Sequence, residues 1–131
     1  FNITTLYENF EYVDFKKATD LHKDLNQKDL EFKTMFQNKL LKLKSIIKTK
    51  NFKPIFITQL KFDGLKDKKL FLVNNELKLF AETNDYFLIP LDEILTMQVN
   101  DFYDEIHTTP QGSKRIANAI YTELPYFFEK N

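Results

Sequence analysis

Ile55-Phe56-Ile57-Thr58-Gln59-Leu60 is the stretch on which the fold turns. It is short, β-branched and continuously apolar at its start, the pattern of a strand buried on both faces in a parallel sheet. The break Asn51-Phe52-Lys53-Pro54 precedes it, and a loop from Lys61 to Lys69, holding Asp63-Gly64 and a lysine cluster, follows it. A helix is predicted from about Leu70 to Thr83, with Val73, Leu77, Phe80 and Ala81 facing inward. Tyr86-Phe87-Leu88-Ile89-Pro90-Leu91 then reads as a second strand, and pairing should stop near Pro90, which has no N–H for the ladder. Strand, helix and parallel strand make a crossover unit. In open α/β sheets ligands bind beyond the carboxyl ends of the strands, so the 61–69 loop either borders a site or is a plain surface connection.

Upstream, Leu30, Met35, Phe36, Leu40, Leu43, Ile46 and Ile47 follow a helical period from about Lys28 to Thr49, with lysines on much of the other face. This predicts a long amphipathic helix laid against a core. Residues 1–27 show no clean period and read as a poorly defined lead-in; Asn2-Ile3-Thr4 fits a glycosylation sequon, to which no function is assigned. His22, among Asp20, Lys23 and Asp24, reads as an exposed surface histidine, since no second metal ligand stands at a fixed spacing from it.

Two parallel strands this apolar need further strands at their edges and helices on both faces. The expectation is therefore one partial domain over residues 1–131, the C-terminal part of a larger α/β domain. A start at Phe1 instead of Met fits a processed or truncated product, so a missing signal peptide says nothing about export, and the compartment stays open.

Charge is balanced, 19 basic against 19 acidic residues, which removes any bulk electrostatic case for nucleic acid or an anionic membrane. Lysines concentrate between Lys28 and Lys53 and carboxylates between Glu82 and Glu105. Arg, the better bidentate phosphate reader, occurs only at Arg115, so the lysines read as a solvated face and no nucleic-acid partner is expected. No stretch is long enough for a membrane span. With no cysteine there are neither disulfides nor thiolate metal sites, and no metal or other cofactor is called for.

The chemistry is concentrated in Asp101-Phe102-Tyr103-Asp104-Glu105-Ile106-His107-Thr108-Thr109-Pro110-Gln111-Gly112-Ser113-Lys114-Arg115-Ile116-Ala117. Thr109 can cap a helix whose first position suits Pro110, and Ile116, Ala117, Ile120, Tyr121 and Leu124 carry the helical period to about Leu124. Asp104 lies three residues before His107 on the irregular segment ahead of that helix. A carboxylate so placed can fix the tautomer of the imidazole and stabilise the imidazolium that forms during proton transfer. The same hydrogen bond could instead only order a loop. Asp101 and Glu105 are neighbouring carboxylates able to replace Asp104 or merely decorate the segment.

Asp104-x-x-His107, followed by a Thr, a Gly and Ile-Ala-x-x-Ile-x-x-x-Leu, resembles the last conserved block of the SGNH hydrolases, the GDSL-type esterases and lipases. The resemblance reaches back more loosely, through element order, to about Asn26. It implies a three-layer, flavodoxin-like α/β domain with a parallel sheet. It also implies His107 as general base and Asp104 as the residue that orients it, in serine-type hydrolysis of an acyl or acetyl ester. The substrate would be a lipid ester, an acetylated sugar or a small ester, with polysaccharide deacetylation or transacetylation favoured by analogy. The family's Gly-Asp-Ser block and its oxyanion Gly and Asn are missing here. Ser45 in a helix and Ser113 in a first helical turn lack the context that activates a serine, and Asn84-Asp85 precedes the wrong strand to stand for the Asn block. The chain would then need the missing N-terminal half of the domain or a partner chain, and would be inactive alone. The alternative is a noncatalytic SGNH-like binding or assembly module.

Overall fold

The computed structural model describes residues 19, 21–62 and 66–131. Most of the lead-in, the sequon at Asn2 and the Asp63-Gly64 pair lie outside them. Helix α1 spans Gln27–Lys50, strand β1 Ile55–Ile57, helix α2 Lys68–Thr83, strand β2 Phe87–Ile89, the short helix α3 Leu91–Ile94 and helix α4 Pro110–Lys130, with a 3-10 turn at Val99–Asp101.

The helix ends follow from side chains that satisfy the first N–H groups. Asn26 accepts the N–H of Asp29 at 2.9 Å while Asp29 accepts the N–H of Asn26 at 2.9 Å, a reciprocal capping box that starts α1. Lys68 reaches Asp29 at 2.7 Å, and this contact, with the Asn26 N–H, holds the Asp29 carboxyl below its ordinary pKa. Asn51 closes the helix in the left-handed region, φ 56°, which an Asn tolerates well. At α2, Asp67 accepts the N–H of Leu70 at 3.0 Å.

Strands β1 and β2 pair in parallel, with Ile55 opposite Phe87, Phe56 opposite Leu88 and Ile57 opposite Ile89. Side chains alternate across a strand. Phe56 therefore turns toward α2, edge-on to Phe80 with centroids 5.6 Å apart, while Phe87 meets Phe127 of α4 at 5.4 Å. The first strand, the helix and the second strand thus appear in the expected order, and pairing stops before Pro90.

The expected three-layer, flavodoxin-like domain is not what forms. The described chain is mostly helical, 65% helix against 7% strand, and its sheet has two strands. One local reason why the strands are short is visible at the end of β1. The Thr58 N–H makes a last bond to the Ile89 carbonyl at 3.1 Å, and the backbone then leaves the sheet. The side-chain amide of Asn74 takes both polar groups of Gln59, accepting its N–H and donating to its C=O, each at 3.0 Å. An amide that fills both groups does what a neighbouring strand would do, so a predicted six-residue strand ends after three residues.

Three further expectations are corrected. On α1 only Leu40 and Ile47 of the predicted apolar stripe are buried, while Leu30, Met35, Leu43 and Ile46 are exposed. His22 is buried, not exposed, with its ring 5.2 Å from that of Phe71. Helix α4 runs past Leu124 to Lys130 with Pro125 inside it. Proline inside a helix costs about 3 kcal/mol through its lost N–H and its clash with the preceding turn. Beyond it, Phe127 packs on Phe87, and Lys130 reaches the Asp85 carboxylate at 2.8 Å and its carbonyl at 3.2 Å. The packing of Phe127 on Phe87 is the main contact of this last stretch, the Lys130–Asp85 pair being largely exposed.

Candidate functional site

The segment between α3 and α4 is built on a small core of its own. Phe62, Met97 and Phe102 are buried together, with Leu60, Leu95, Val99 and Ile116 packed around them. The rings of Phe62 and Phe102 meet edge to face at 5.8 Å, a favoured aromatic arrangement. Phe102 and Thr108 form an antiparallel bridge, and the Tyr103 N–H donates to the His107 carbonyl at 2.8 Å. Residues 103–107 are therefore the tip of a closed loop whose base is buried.

Asp104 and His107 meet at that tip. Asp104 Oδ2 lies 2.7 Å from His107 Nδ1, and Asp104 Oδ1 accepts the N–H groups of Ile106 at 2.9 Å and of His107 at 2.8 Å. The two backbone N–H groups, that of His107 first, and then the His107 ring hold the Asp104 carboxyl down at about 2. Three donors fix the carboxylate in one orientation, so the ring nitrogen it faces is fixed as well. The side chain of His107 is 70% exposed and that of Asp104 40% exposed. Nδ1 is thus occupied by the carboxylate, and the other edge of the imidazole, with Nε2, is open to solvent.

Asp101 and Glu105 do not compete for the role of Asp104. The Asp101 carboxylate is fully buried and engaged with Arg115, while Glu105 is exposed and stands 4.0 Å from Lys61. The loop after β1 does border this tip: the Phe62 N–H donates to the Glu105 carbonyl at 2.8 Å. Lys61, which reaches Glu105, is also bonded to Asp67 at 2.8 Å. Partial burial pushes the Asp67 carboxyl up, but Lys61 and the N–H groups of Leu70 and Lys69 outweigh it and leave the pKa lowered.

Helix α4 holds the loop from behind. Thr109 caps it, accepting the Gly112 N–H at 3.1 Å while its hydroxyl donates to the Asn100 carbonyl at 2.8 Å. The Thr109 N–H donates to the Asp101 carbonyl at 2.9 Å. Gly112 is buried against that same peptide. Of the apolar period expected on α4, Ile116, Ile120 and Leu124 are half-buried, whereas Ala117 and Tyr121 face outward. The support from Asp101, Gly112 and Arg115 was not foreseen. Its one sequence signal is that the chain's single arginine lies one helical turn after a glycine in the same helix.

The serines are placed as the sequence suggested. Ser45 is exposed on α1, and the Ser113 hydroxyl is 2.6 Å from Thr108 Oγ1. A groove of about 300 Å³ between α1 and α2 is lined by residues such as Leu40, Leu41, Glu76 and Phe80, without Asp104 or His107. Among the described residues no group of three or more His, Cys, Asp or Glu could hold a metal ion, and no helix is long and apolar enough to cross a membrane.

No family model, curated protein or solved structure matches the chain.

Proposed function

We propose that Asp104 and His107 are the acid and base of a serine-type ester hydrolase acting on an acyl or acetyl ester. The observation that carries this is the 2.7 Å contact of Asp104 Oδ2 with His107 Nδ1 beside an open Nε2. A carboxylate on Nδ1 keeps the proton there in the resting state, so Nε2 presents its lone pair outward. A serine hydroxyl brought to Nε2 would lose its proton to the ring as its oxygen bonds to the ester carbonyl carbon. The ring would return that proton to the departing alcohol as the carbon–oxygen bond breaks, and a water would repeat the cycle on the acyl-serine. Asp104 orients the ring throughout and stabilises its charged form. The serine and the oxyanion donors come from polypeptide outside these residues, in the same gene product or in a partner. The likeness of Asp104-x-x-His107 and the helix behind it to the last SGNH block supports this chemistry. The fold adds no support.

The test is covalent labelling of the natural, full-length gene product with a serine-directed fluorophosphonate, together with release of nitrophenol from nitrophenyl acetate. Labelling and turnover are expected, with both abolished in His107→Ala. Asp104→Asn should lower turnover about 10⁴-fold, the order lost when a triad histidine is left in the wrong tautomer. Labelling that persists in His107→Ala, or no labelling of the natural product at all, would sink the proposal.

A further inference from the structure

We propose that Asp101 and Arg115 are positioning residues for the Asp104–His107 pair, a buried ionic clamp that sets the base of the loop so that Asp104 stays aimed at His107. This rests on the acid–base reading of that pair. The Asp101 side chain is 0% exposed. A carboxylate taken fully out of water is costly unless it is paired and hydrogen-bonded. Each of its partners belongs to one end of the same loop. Asp101 Oδ2 accepts the Gln98 N–H at 2.6 Å and also the guanidinium of Arg115, while Oδ1 accepts the side-chain amide of Gln111 at 3.2 Å. Arg115 then donates through its other terminal nitrogen to the Thr96 carbonyl at 2.6 Å.

The consequence is a closed frame. Thr96 and Gln98 belong to the strand of chain entering the loop, Gln111 and Arg115 to the helix leaving it, and a single carboxylate and guanidinium join the two. The Asp101 carbonyl adds the bond from the Thr109 N–H, two residues after His107. Tethering alone would need no charge, because Phe102 already buries its ring in the core beneath. A two-pronged guanidinium adds direction: its rigid fork fixes the angle as well as the distance between the partners. Residues 103–107 span the open side of this frame, so a tilt of the frame would be felt at the short bonds from Ile106 and His107 to Asp104.

The experiment is made on the natural, full-length protein, isotopically labelled, comparing wild type with Arg115→Ala, Arg115→Lys and Gln111→Ala. Two quantities are read by nuclear magnetic resonance: the pH titration of the Asp104 carboxyl carbon and amide hydrogen exchange at Ile106 and His107. In Arg115→Ala the exchange of these two amides should accelerate tenfold or more relative to amides of Phe56 and Leu88 in the sheet. The Asp104 midpoint should rise from about 2 toward the ordinary carboxylate range. Arg115→Lys should recover part of both effects, keeping the charge without the fork. A variant that melts at lower temperature, exchanges faster throughout and leaves the Asp104 titration unchanged would show a merely structural clamp and overturn the proposal. If Arg115→Ala does not fold, Arg115→Lys and Gln111→Ala decide in the same way, and an unmoved Asp104 in both overturns it. Neither readout needs a nucleophile. Absent phosphonate labelling with a responsive Asp104 would therefore reject the catalytic reading while leaving the clamp in place.

Discussion

Replacing Gly112 by alanine sets two effects of opposite sign against each other. Alanine is the better helix former, by about 1 kcal/mol. Its Cβ, however, would stand 2.9 Å from both the carbonyl carbon and the Cβ of Asp101, and nearer still to the carbonyl oxygen. These atoms are mostly backbone, so no rotamer change relieves the overlap, and α4 must move away from the Asp101 peptide. Overpacking of this kind costs about 1–3 kcal/mol. The movement also stretches the 3.1 Å cap from Gly112 to Thr109 and the 2.9 Å bond from Thr109 to the Asp101 carbonyl. A lost cap adds about 1 kcal/mol. The clash and the lost cap together outweigh the gain in helix propensity, and Gly112→Ala should be destabilised by about 2 kcal/mol, which for a chain of this size lowers Tm by about 6–8 °C. Urea and thermal unfolding of the natural protein and the variant measure it. A variant as stable as the parent, or more stable, would refute the reasoning, because helix propensity would then have prevailed and the contact of α4 with Asp101 would be looser than described.

Three further outcomes are expected. Thr58 is 1% exposed, donates to Asp92 Oδ1 at 2.7 Å and accepts the Asp92 N–H at 3.1 Å; Thr58→Val strands that N–H and should cost about 1–3 kcal/mol in urea unfolding, while Thr58→Ser should cost much less. Asn74→Leu should also lose about 1–3 kcal/mol, and the exchange of the Gln59 amide should rise first, since the amide that serves Gln59 is gone. The Asp104 pKa of about 2 lies below the ~3.9 of an unfolded chain, so its contribution to loop stability is fully present above about pH 4 and fades as pH falls toward 2; protection of the Ile106 and His107 amides should fall across that window, and protection that holds constant to pH 2 would contradict the bonds described.

The elements that depend on local chemistry were legible in the sequence. Thr109 with Pro110 marked the start of α4, and Pro90 the end of β2, because capping and the missing proline N–H act within one or two residues. Asp104 and His107 were legible as a pair for the same reason: three residues of separation bring a carboxylate to an imidazole without help from distant parts of the chain. What could not be read was decided at long range. Nothing in Ile55–Leu60 announces that Asn74, fifteen residues on from Gln59, would occupy the groups of the backbone there and end the strand. The extra turn and a half of α4 past Pro125 packs through Phe127 on Phe87, in a distant strand. The burial of Asp101 depends on Arg115, fourteen residues away. Acidic residues in a loop read as solvated unless the partner is known, and here the partner lies across a helix cap.

The exposure of the Asp104–His107 pair constrains how it could be used. Water and salt screen the attraction between exposed charges far more than between buried ones. At its present exposure the pair is screened by water, so the chief effect of Asp104 is to orient the ring. On the proposed chemistry, the element that brings the serine must also cover the ring, because stabilisation of developing charge is strong only where water is excluded. The residues such a cover would meet first are apolar. Tyr103 and Ile106, on either side of the Asp104–His107 contact, are 59% and 61% exposed, an apolar pair with little reason to face solvent. On that chemistry the base of the loop is already held from below by the contacts of Phe102, Asp101 and α4. An incoming segment would therefore pay little to order the loop, and its binding would act chiefly by desolvating a pair whose geometry is set in advance.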